Sequence, residues 1–110
     1  MAEFVKGDIV VVPFPFSDLS SSKKRPAMVL SCLNGDDLIL IQITSKTSKD
    51  PYAILLEESD FASGSLHQPS HVRPNRLFTA DRKIILYTAG KLKSDKLNEV
   101  VNRVVEIVRS

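Results

Sequence analysis

The 110-residue chain has no tryptophan and only one cysteine, Cys32. A lone thiol excludes an internal disulfide and any zinc site built from cysteine pairs. Cys32 lies in the apolar run "MVLSCL", where it reads as a buried, inert side chain. No apolar run approaches the roughly 20 residues needed to cross a bilayer. The longest β-branched stretch near the start, "IVVV", is bracketed by Asp8 and Pro13, too short for the core of a signal peptide. The expectation is a cytoplasmic protein with no membrane partner. HExxH, a phosphate-cradling glycine loop and GxSxG are all missing, so metalloprotease, NTPase and serine hydrolase readings have no support.

Apolar residues make up 43% of the chain, yet large aromatics amount to five Phe and two Tyr, so the core must be mostly Val, Ile and Leu. That composition favours β structure, and the length fits one domain spanning residues 1–110. The net charge of +2 is too small to identify a partner, so the information lies in where the charges cluster.

Gly7–Phe14 reads as a strand, followed by a loop that contains two prolines and a serine run. "RPAMVLSCL" restarts as a second strand, "NGDD" is a hairpin turn, and "LILIQIT" is the return strand, apolar enough for burial on both faces. After the polar loop "SKTSKDP", Tyr52–Glu58 reads as a strand and "SDFASGS" as a connector with one short helical turn. His71–Asp81 is extended, with Pro74 confining part of it to an edge or a bulge. Lys83–Leu92 holds a short strand and a turn at Gly90. Leu97, Val100, Val101, Val104, Val105 and Val108 then follow a helical period, with Ser94 or Asp95 as the cap and Arg109 suited to the end. The fold class is mainly β with a C-terminal α-helix: a small antiparallel barrel with the helix packed on it.

Two basic clusters stand out. Lys23, Lys24 and Arg25 enter the second strand, and Pro26 biases Arg25 toward an extended backbone. A guanidinium fork held there matches phosphate oxygens, although a solvated basic loop accounts for the same residues. Arg73, Asn75 and Arg76 form the second cluster; alternation puts Arg73 and Asn75 on one side and Arg76 on the other. A charged edge strand guarded against aggregation explains that cluster equally well. Thr44 and Ser45 end an apolar strand with hydroxyls that suit either a phosphate oxygen or the local backbone. His67 and His71 are the only imidazoles; their spacing would hold a metal only on a helix, which Pro69 forbids, so no metal is expected.

Taken in order, "GDIVVVPFPFSDLSSSKKRPAMVLS", "IQITS" and "VRPNRLFTAD", closed by an amphipathic helix, resemble the PemK/MazF toxins of bacterial toxin–antitoxin systems. The resemblance spans nearly the whole chain. It implies an SH3-like barrel, a homodimer, and a metal-independent endoribonuclease without cofactor that cuts single-stranded RNA through 2′-OH attack. It also implies a cognate antitoxin whose disordered tail wraps the dimer, with DNA met only through that antitoxin. The family's catalytic arginine matches Arg25 and its hydroxyl at the strand end matches Thr44, with Ser45 beside it. A second arginine used by some members matches Arg73, while Asn75 stands where those members carry an acid. The first loop, "PFPFSDLSSSKK", lacks the glycine and glutamate of many members, so no cleavage sequence carries over. Lys23, Lys24, Ser45, Arg73, Asn75 and Arg76 are the expected RNA contacts, and His71 is the conventional candidate for proton transfer. Two other readings belong to the same barrel: a non-enzymatic toxin that inhibits DNA gyrase, and an inactive RNA-binding barrel.

Overall fold

A computed structural model describes residues 3–14, 23–46 and 49–110. Among these described residues seven strands, β1 (Asp8–Phe14), β2 (Lys23–Cys32), β3 (Asp37–Thr44), β4 (Ile54–Leu56), β5 (Phe61–Gly64), β6 (Ser70–Asp81) and β7 (Tyr87–Leu92), precede one α-helix, α1 (Ser94–Arg109). They form a single sheet in the order β4-β6-β3-β2-β1-β7-β5, with antiparallel pairing throughout, curled into a half-barrel.

The apolar runs of β1 and β3 are buried on both faces, as their continuity predicts. Ile9, Met28, Ile41, Ile43 and Val72 pack with Val100 and Val104 of α1. On the opposite face Val10, Val12, Ala27, Val29, Leu38 and Leu40 gather under Phe4 and Phe78. Each such side chain contributes roughly 1.5–3 kcal/mol on burial. Valine is a mediocre helix former, so the packing of Val100 and Val104 is what holds α1 in place.

Several boundaries differ from the sequence reading. β2 begins at Lys23 rather than Arg25, because Lys23 and Lys24 pair with Phe14 and Pro13. The serines of the preceding loop, Ser20–Ser22, lie outside the described residues. Tyr52 sits in a turn before β4, where its N–H donates to Asp50 Oδ1 at 2.9 Å. The expected helical turn is present at Glu58–Asp60, but Phe61–Gly64 is a strand rather than a connector. Gly90 lies within β7 instead of making a turn, because β5 presses against it: a Cβ at Gly90 would stand 2.6 Å from the Ser63 carbonyl oxygen. Gly64, at φ +70°, would place its Cβ 2.1 Å from the Ala89 carbonyl oxygen. Lys93 occupies the helix N-cap position with no side-chain cap bond, and Asp95 falls in the first turn, where its charge favours the helix dipole. Cys32 is exposed, not buried; it ends β2 and its Sγ donates to the Phe4 carbonyl at 3.1 Å.

Pro74 does mark a break. β6 pairs Leu77 with Ile41 and Val72 with Ile43, so Gln42 alone faces residues 73–76. A residue without a backbone donor fits that bulge.

Candidate active site

At one end of the sheet the strand registers bring the sequence candidates together. Arg25 pairs with Val12 on β1. On its other side the β2–β3 register runs Val29↔Leu40, Met28↔Ile41, Ala27↔Gln42; continued by two residues it sets Arg25 opposite Thr44. Thr44 pairs with His71, and His71 with Leu55. Thr44 and His71 therefore stand opposite each other on β3 and β6, and Arg25 lies at the β2 position that the register, extended past its last observed pair, sets next to Thr44. Directly opposed residues have Cβ atoms about 5 Å apart and share a face. All three are half-buried.

The hydroxyl of Thr44 is oriented by its backbone. Its Oγ1 accepts from Lys46 N at 3.2 Å, which leaves its own proton for another acceptor. His71 Nδ1 is buried with no hydrogen-bond partner among the described residues, so no structural hydrogen bond accounts for that ring atom. His67 stands apart, with the left-handed φ of 62°, lining a second cleft with Glu57, Glu58 and Phe61. The segment between the two histidines is not helical, and among the described residues no His, Cys, Asp or Glu side chains gather as a metal-binding group.

The second basic cluster is tied down. Arg73 Nε donates to Asp50 Oδ2 at 3.2 Å, and the Asn75 amide donates to the same carboxylate. Both side chains thus reach one carboxylate from within the bulge, where Asn75 and Arg76 are exposed. Asp50 is only 7% exposed in this pair. Burial pushes its carboxyl up, but the hydrogen bonds from Tyr52 N–H, Arg73 and Asn75, with the charge of Arg73, outweigh it and hold the group below its ordinary value. The Asp-Pro pair at positions 50 and 51 was the only sequence signal for this anchor.

A cleft of about 230 Å³ lies on the face of the sheet opposite to Thr44 and His71. Val11 and Ile43 line it together with Lys24, Pro26, Ser45, Gln68, Ser70 and Tyr87, and Arg25 borders it as well. Tyr87, Gln68 and Ser70 were not singled out from the sequence, because each becomes noticeable only when β7, beyond β1, and the 65–70 segment meet residues of β2 at the cleft. Gln42 was also missed; as the lone amide in "LILIQIT" it was legible, and it faces the β6 bulge.

The architecture matches solved toxin structures. A mycobacterial endoribonuclease in complex with its cognate antitoxin superposes with a TM-score of 0.77 at 11% identity, over 97% of this chain and 96% of that one. The MazE–MazF complex (Form-III) from Deinococcus radiodurans gives 0.74 at 20% identity, over 94% of both chains. MazF (Form-I) from the same organism gives 0.71 at 20%, over 96% of both. At these identities the likeness establishes the fold. No curated protein matches by sequence. The family model for the PemK-like, MazF-like toxin of type II toxin–antitoxin systems matches residues 5–108, and the chain belongs to that family.

Proposed function

We propose that this toxin is an endoribonuclease that cleaves single-stranded RNA at short sequences without a metal or cofactor, as a cytoplasmic homodimer neutralised by a cognate antitoxin. The observation that carries the reading is the pairing of Thr44 with His71 on β3 and β6, with Arg25 aligned on β2 by the extended register. Family membership and the endoribonuclease and antitoxin-bound relatives support it.

In this reading the 2′-OH of the RNA attacks the adjacent phosphorus. His71 takes the 2′ proton, the O2′–P bond forms and the P–O5′ bond breaks. The departing 5′ oxygen takes a proton from water, leaving a 2′,3′-cyclic phosphate and a 5′-hydroxyl. Arg25 grips the non-bridging oxygens as charge builds on the phosphorane, and Thr44 donates a further hydrogen bond. A preorganised donor of this kind accounts for about 10²–10³ in rate. Lys23, Lys24, Ser45 and Arg76 supply contacts along the strand, while Arg73 and Asn75 work through Asp50 to hold the β6 bulge beside it. DNA is met only through the antitoxin.

The test is incubation of the purified protein with a long RNA, with and without a chelator, followed by sequencing of the cut ends. Discrete cuts ending in 2′,3′-cyclic phosphate, unchanged by chelator, are expected. Loss of cutting with the chelator and its return with magnesium would overturn the metal-free reaction. Intact RNA together with inhibited gyrase would move the protein to the non-enzymatic reading.

A further inference from the structure

We propose that the cleft between Tyr87, Gln68 and Lys24 is a pocket for one unpaired nucleobase, and that it selects the base beside the scissile phosphate. The inference rests on the RNA-cleaving reading and names a specificity subsite for it.

Tyr87 is 55% exposed although it sits within the register of the sheet, paired with Val11. Its ring forms part of a cleft wall. An exposed aromatic face over an apolar floor of Val11 and Ile43 suits a flat ring of either purine or pyrimidine type. Gln68 adds an amide that both donates and accepts, the chemistry that reads a base edge. Its backbone is fixed, because the buried Ser70 hydroxyl donates to the Gln68 carbonyl at 3.3 Å. Lys24 supplies an exposed positive charge on the same face for a flanking phosphate.

The position of the cleft sets which base it takes. Lys24 and Pro26 flank Arg25 along β2, and Ile43 and Ser45 flank Thr44 along β3. Successive strand residues rise about 3.3 Å and point to opposite faces. Arg25 itself lines the cleft, so a phosphate on its guanidinium and a base in the cleft belong to the same nucleotide or to adjacent ones, with the strand crossing the end of the sheet. A base inside a duplex cannot turn into such a cleft, so the pocket also enforces single-strandedness.

The test compares wild type with Tyr87→Ala, Tyr87→Phe and Gln68→Glu on an RNA pool of randomised sequence. Cut ends are mapped, and binding is measured on a 2′-O-methyl pool that cannot be cleaved. Stacking losses of the usual size correspond to roughly a 5- to 150-fold rise in Kd for Tyr87→Ala, and Tyr87→Phe should restore binding. Gln68→Glu, which can only accept at neutral pH, should change the preferred base at one position next to the cut while others hold. Because Tyr87 is exposed, its removal should leave the melting temperature and the sedimentation coefficient unchanged. Wild-type cut profiles and affinities in both Tyr87→Ala and Gln68→Glu would overturn the pocket while leaving cleavage intact. A dimer that dissociates in Tyr87→Ala would also overturn it, assigning the ring to a protein interface. Tyr87-dependent binding with no cleavage by wild type would uphold the pocket and overturn the catalytic reading instead.

Discussion

Replacing Asp50 by alanine should cost the fold far more than a surface carboxylate normally does. Its carboxylate accepts from Tyr52 N–H at 2.9 Å and from Arg73 Nε at 3.2 Å, and also from Asn75. A charge-assisted hydrogen bond is worth about 1.5–3 kcal/mol and an ordinary one about 0.5–1.5. The Arg73 side chain is 24% exposed, so water partly replaces the lost partner, and the low end applies to the pair. The sum is about 2–4 kcal/mol, or roughly 8–16 °C in melting temperature for a domain of this size. The pH dependence follows from the depressed carboxyl: the stabilisation is complete above the unfolded carboxyl value and is lost as pH falls through the lower folded one. The gap between wild type and Asp50→Ala should therefore be constant from neutral pH down to about pH 5 and begin to narrow below about pH 4. Thermal unfolding by circular dichroism at several pH values reads both quantities. A gap below about 2 °C at neutral pH, or one of equal size at pH 7 and pH 2.5, would refute the reasoning.

Arg25→Ala should lower cleavage by at least about 100-fold with the melting temperature within a degree or two of wild type, and Arg25→Lys should recover little because it lacks the planar fork; wild-type rates would remove Arg25 from the site. His71→Gln should reduce kcat, and an unchanged kcat would assign the proton to another group. Gly64→Ala should destabilise by at least about 1–3 kcal/mol, since a left-handed backbone and a 2.1 Å approach to a carbonyl must both be relieved; an unchanged unfolding midpoint in urea would contradict the close β5–β7 contact.

The parts of the fold legible from sequence were those set by local pattern: the double-faced apolar runs of β1 and β3, the Asn-Gly turn, and the valine stripe of α1. β5 was not legible, because "FASG" carries no alternation and forms a strand only where Gly64 and Gly90 let two backbones meet. Arg25 and Thr44 stood out by residue type, yet their alignment is a property of register. Cys32 misled because an apolar neighbourhood in sequence says nothing of which side of a strand end faces water. Arg73 read as an RNA contact or an edge-strand charge because Asp50, its partner 23 positions earlier, is remote in sequence.

An ion pair outside the alignment of Arg25, Thr44 and His71 matters to it through strand register. If β6 continued in the register that sets Leu77 against Ile41, Thr44 would face Pro74. The four-residue bulge at 73–76 resets the strand, so that Ile43 meets Val72 and Thr44 meets His71. That reset moves β6 by an odd number of residues and exchanges its faces, which is what turns His71 to the side of Thr44 and Arg25. A bulge this large sacrifices ladder bonds and needs an anchor. Arg73 and Asn75 lie within it, and both are held by Asp50. On the proposed reading, the charge at position 73 serves the site by fixing register. Loosening it should reduce kcat along with stability, whereas loss of a phosphate contact such as Lys24 should weaken the salt dependence of RNA binding and leave stability unchanged.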